Sequence, residues 1–155
     1  MNLEAAVRLS EILMAGAFLQ QSAEHLIAPA YERWLFIARI ALALLLLAGV
    51  QPMVVEALLL LLGVAILYRF HGSYNGGSDR MSLLLLFCLL MAHLAPSRRW
   101  QEIAVGYLAV QLLMSYAISG WIKLSNPDWR SGHALKDVFE FSAYPVSESI
   151  RSLAN

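Results

Sequence analysis

Charge is what this sequence has least of. Only 14% of its 155 residues are Asp, Glu, Lys or Arg, the formal net charge is zero, and 59% of the residues are hydrophobic. A soluble domain carries about 25% charged and about 45–50% apolar residues, so the composition is that of a chain dissolved in lipid. The missing basic excess excludes a nucleic-acid module, and the missing polar bias excludes a disordered segment. No Gly-X-Y repeat is present, which excludes collagen. The single cysteine, Cys88, lies in an apolar run and forms no intrachain disulfide. Several chemistries are also missing. There is no nucleophile elbow, no zinc motif and no P-loop lysine. His25, His71, His93 and His133 show no His-x-x-x-His spacing, so no metal is expected, and His93, alone on an apolar helix, reads as a hydrogen-bonded core residue.

What is present is a succession of long apolar runs. Residues 34–50, 54–70, 81–95 and 103–124 each read as a membrane span, since about 20 residues at about 1.5 Å per residue cross a hydrocarbon core of about 30 Å. Residues 3–26 are semi-polar. Glu4, Arg8 and Glu11 recur at intervals of four and three, which places them on one helical face. A signal peptide carries its positive charge first and a small-residue cleavage site last, and this stretch does neither. It is expected to be a fifth span with its charged face packed inward, the rival being an amphipathic helix on the membrane surface. The expected fold is therefore an all-α integral membrane bundle in one domain, four strong spans and one semi-polar span, followed by a short amphipathic tail over residues 125–155.

The punctuation agrees with these spans. Pro29 closes the first, Gln51-Pro52 turns between the second and third, and Gly72 to Arg80 is a Gly-rich loop. Pro96 and the polar Ser97, Arg98 and Arg99 precede the last span, and Ser125-Asn126-Pro127-Asp128 is a helix-start signal. The tail is expected to be interrupted near Pro145. Arg33, Arg69, Arg80, Lys123, Arg130, Lys136 and Arg151 fall on one membrane face, against mainly Arg8, Arg98 and Arg99 on the other. The positive-inside rule then puts the tail in the cytoplasm, in a membrane taken to be the bacterial inner membrane.

Two segments concentrate polar groups. Gln111, Ser115, Ser119 and Lys123 recur every fourth residue along the last span, with Tyr116 beside them and Trp121 and Trp129 flanking Lys123. The stripe reads equally as interhelical hydrogen bonding with a snorkelling lysine. A desolvated lysine there would be a base. The second segment, Arg69 to Arg80, holds His71, Asn75, Gly76, Gly77 and Asp79, where paired glycines permit close approach to a ligand. A solvated loop with a turn at Asn75-Gly76 explains it as simply.

At Tyr116-Ala-Ile-Ser-Gly120-Trp-Ile-Lys123-Leu124, followed by Trp129-Arg-Ser-Gly132-His-Ala-Leu135, the chain resembles the horizontally transferred transmembrane domain, the membrane part of the vitamin K-dependent gamma-carboxylase superfamily. Val7-Arg8-Leu9 and Asn75-Gly76-Gly77-Ser78-Asp79 agree with it in order, so the resemblance covers nearly the whole chain. It implies Lys123 as the base that deprotonates a reduced quinone, His71 as its catalytic companion, and Tyr116, Ser119, Trp129, Asn75, Asp79 and Arg80 as ligand-binding residues. The later helices and the large extramembrane domain of the carboxylase are missing, and the family's paired lysine is here Ile122-Lys123. Quinone binding is therefore expected to survive and glutamate carboxylation is not. The chain is also similar to DoxX-like small membrane proteins, which implies a second function, a noncatalytic accessory or assembly subunit of a larger membrane redox complex. The expected partners are the lipid bilayer and other membrane subunits, with no nucleic acid.

Overall fold

The computed structural model describes residues 2–26, 33–69 and 77–140. Among them every regular element is a helix: α1 (Leu3–His25), α2 (Arg33–Ala48), α3 (Pro52–Arg69), α4 (Gly77–Leu94), α5 (Arg98–Ser125), α6 (Pro127–Arg130) and α7 (His133–Glu140). Two of them, α3 and α5, are long and apolar enough to cross a membrane. The chain divides within α5 into Met1–Val110 and Gln111–Asn155.

In the first unit α1 packs on α2, α2 on α3, α3 on α4, and α4 returns to α1, which closes a four-helix ring. Its apolar centre is Met14, Ala15 and Phe18 of α1, Ala43 and Leu46 of α2, Val55 and Leu59 of α3, and Leu86 of α4. The outward faces are also apolar: Leu44, Leu58, Leu61, Val64 and Phe87 are all exposed. Gly63 lets α3 and α4 approach closely, since a Cβ there would stand 2.6 Å from Leu83 Cδ2.

Local chemistry sets the helix ends. Asn2 caps α1, its Oδ1 accepting from the Ala5 amide at 2.9 Å. Between α2 and α3 the turn lies two residues earlier than the sequence suggested, because α2 stops at Ala48 and α3 begins at Pro52. Gly49 takes φ 74°, its amide donates to Leu46 O at 3.0 Å, and the Val50 amide donates to Leu45 O at 3.0 Å. This is the Schellman stop, which needs a left-handed residue at Gly49. Pro52 then opens α3 at the one helical position where its missing N–H costs nothing.

Two expected loops are shorter than read. Gly77 to Arg80 belongs to α4, with Asp79 in the first turn where an acid complements the helix dipole. Arg98 and Arg99 belong to α5, where Arg98 Nε pairs with Glu102 Oε1 at 3.1 Å one turn on.

In the second unit α5 ends where the helix-start signal begins. Asn126 caps α6, its Oδ1 accepting from the Asp128 amide at 2.9 Å, and Gly132, at φ 83°, turns the chain into α7. The Pro145 interruption lies outside the described residues.

Candidate functional site

Among its described residues the first unit buries four charged or polar side chains, Glu11, Ser22, Arg39 and Glu56. They fall in two layers, separated along α1 by the eleven residues from Glu11 to Ser22, or about 16 Å of helix.

The layer toward the α1 C-terminus is built on Arg39 of α2. Its Nε donates to Ser22 Oγ at 2.7 Å, and its guanidinium lies 5.3 Å from the Phe18 ring centroid and 5.2 Å from that of Phe36. His25 stacks on Phe36 with centroids 4.6 Å apart. Asp79 accepts from Gln21 Nε2 at 2.9 Å and supplies the negative charge that acts on Arg39. The rings and the hydroxyl replace part of the water that the cation lost, and Nη2 is buried with no hydrogen-bond partner.

The other layer gathers one residue from each of three helices. His93 Nε2 of α4 lies 2.7 Å from Glu11 Oε1 of α1 and 3.6 Å from Glu56 Oε1 of α3. Arg8 holds the other Glu11 oxygen, Nη1 to Oε2 at 2.7 Å. The same guanidinium donates to Leu47 O at 2.7 Å and, beside the Gly49 amide, to Leu46 O at 2.9 Å, capping the end of α2. Glu56 is treated differently. It is 0% exposed, and neither carboxylate oxygen has a hydrogen-bond partner. Together Glu11, Glu56 and His93 bring one ligand atom each to within 4.8 Å of one another.

A cavity of about 250 Å³ opens beside this layer, and its wall includes Arg8, Glu11, Gly49, Pro52, His93 and Gln101. A second hollow, of about 400 Å³, lies between α4 and the start of α5 against Phe87, Met91, Leu94, Trp100, Ile103 and Tyr107. The first offers hydrogen-bond donors and acceptors and the second is almost wholly apolar.

The residues singled out from the sequence are distributed differently. In the second unit Lys123 rests its Nζ over the Trp129 ring, 4.8 Å from the centroid, but Lys123, Ser115 and Ser119 are exposed and Tyr116 is 77% exposed. Four-residue spacing guarantees a shared face, and nothing in the spacing guarantees that the face is covered. Arg80 is exposed on α4. Asp79 is engaged with Gln21. His71 and Asn75 lie outside the described residues.

Reading by motif missed Arg39, the one charge of residues 34–50, and Glu56, the one acid of residues 54–70. That isolation was the available signal, because a charge at mid-helix costs roughly 2.5–3.5 kcal/mol on insertion scales and calls for a partner. His93 is hydrogen-bonded as read, though to a buried carboxylate. Comparison with protein families, curated proteins and solved structures finds no match for the chain.

Proposed function

We propose that the chain is an integral membrane protein of five spans, α1 to α5, related to the membrane part of the vitamin K-dependent gamma-carboxylase superfamily, and that its bundle binds a quinone or a similar lipid-soluble carbonyl ligand. The observation that carries this reading is the Glu11–His93 pair in the wall of the cavity, where a ligand carbonyl or hydroxyl would meet a group able to exchange a proton. Arg8 and Gln101 in the same wall add donors that fix orientation. The aromatic hollow against Phe87, Trp100 and Tyr107 suits an isoprenoid body.

The membrane assignment rests on the inside-out pattern, with Glu11, Arg39 and Glu56 buried while Leu44, Leu61, Phe87 and Leu113 face out. Arg69, Arg80, Lys123, Arg130 and Lys136 favour a cytoplasmic tail in a bacterial inner membrane. In this reading proton exchange belongs to Glu11 and His93, and Lys123 is an interfacial anchor.

The test is to purify the protein in mild detergent and identify copurifying lipids by mass spectrometry. A quinone retained near stoichiometry by wild type, and lost several-fold in Glu11→Gln and His93→Gln at unchanged helicity, is the expected result. Wild type free of quinone, or variants that retain it fully, would overturn the reading. A second reading, an accessory subunit of a membrane complex, is favoured by α5, which buries only Leu108 along its 28 residues. Partner subunits that copurify without any small molecule would select it.

A further inference from the structure

The quinone reading leaves Glu56 unexplained. Its carboxylate is sealed from water, aimed at His93, and held by no hydrogen bond. A buried carboxylate must be neutralised, by a proton or by a cation. A proton neutralises the charge and still leaves an oxygen without a partner. A cation among Glu56, Glu11 Oε1 and His93 Nε2 satisfies all three groups at once.

We propose that Glu11, Glu56 and His93 form a binding site for a divalent transition-metal ion. Two carboxylates and one imidazole are the donor set of borderline ions such as Zn²⁺ and Mn²⁺, and three protein ligands leave a coordination position open. The three donor atoms already lie within 4.8 Å of one another. Ligation at about 2.0–2.2 Å sets donor atoms roughly 3.3–3.5 Å apart, so the ion replaces the 2.7 Å hydrogen bond between Glu11 and His93, and Glu56, with no hydrogen bond to break, turns in to meet it. Arg8 occupies Glu11 Oε2 and so leaves Oε1 directed at the centre, the role of an outer-shell orienting group. With Glu11 and Glu56 ionised, Arg8 charged and His93 neutral, the cluster carries one net negative charge, and a divalent ion brings it to one positive. Glu11 and His93 also line the open cavity, which gives an ion its path in.

The site shares Glu11 and His93 with the quinone reading but does not depend on it, and it is tested without lipid. Full-length protein, delipidated in detergent and stripped with a chelator, is titrated with Zn²⁺ and separately with Mn²⁺, and bound metal is counted by elemental analysis after gel filtration. About one ion per chain is expected, with a higher unfolding temperature, since an ion bound only by the folded state stabilises it. Glu56→Gln and His93→Gln should weaken binding by about tenfold or more, and Arg8→Gln by about tenfold through loss of orientation. Glu102→Gln, in an exposed pair on α5, should bind like wild type. Stripped wild type that keeps its helicity but takes up neither ion would overturn the proposal. So would Glu56→Gln binding as tightly as wild type.

Discussion

Two buried polar layers in the same bundle have been treated in opposite ways. Arg39 is given a hydroxyl, two aromatic faces and the field of Asp79, whereas Glu56 receives only an imidazole at 3.6 Å. Both charges bear the cost of leaving water; the first is repaid in part, with Arg39 Nη2 left without a hydrogen-bond partner, and the second at neither oxygen. A layer whose needs are largely met holds helices together. A layer left short is open to a ligand, because the missing interaction is what the ligand provides. The difference separates a structural charge from a functional one without appeal to motif.

The largest effect should come from removing the structural charge. Arg39→Ala leaves a cavity between Phe18 and Phe36, orphans Ser22 and deprives Asp79 of its countercharge, so a loss of about 3–5 kcal/mol is expected. Thermal or denaturant unfolding in mixed micelles, followed by circular dichroism, measures it. A loss under about 1 kcal/mol would mean that the layer is not structural.

The opposite sign is expected at Glu56. Glu56→Leu replaces a bare carboxylate with an apolar side chain of similar volume while Glu11 keeps Arg8 and His93. In chelator it should therefore stabilise the bundle by about 1–2 kcal/mol, at the expense of metal uptake. Destabilisation of the metal-free protein by this substitution would erase the contrast between the two layers.

The smallest effect belongs to the exposed stripe of the second unit. Lys123→Arg keeps a cation over Trp129 and should change stability by less than about 0.5 kcal/mol while leaving ligand retention intact. Arginine stays protonated near neutral pH, so loss of quinone retention on this change would return the proton-transferring role to Lys123.

The stripe and the two layers also divide what could be read in advance. The four-residue recurrence of Gln111, Ser115, Ser119 and Lys123 is a strong pattern in one dimension, and it located a helix face that lies exposed at Ser115, Ser119 and Lys123. Glu11, Glu56 and His93 have no pattern at all, since 45 and 37 residues separate them along the chain. Glu4, Arg8 and Glu11 were legible as one face because all three sit on α1, and Arg8 and Glu11 do pair. That Arg8 would also cap α2 through Leu46 and Leu47 was not legible, because a helix's free carbonyls seek a donor without naming its origin.

By itself the sequence determined the all-helical character, the approximate extent of each helix and the turns near Gln51-Pro52 and at Asn126-Pro127. These follow from local causes: apolar runs that bury every backbone group within one helix, a glycine that tolerates positive φ, a proline that fits the first turn. Only the tertiary structure decided which polar side chains meet and which remain exposed. Burial and partnership are set by the neighbouring helix, and the α3–α4 approach at Gly63 and the closure of α4 on α1 that joins His93 to Glu11 are written in no single helix.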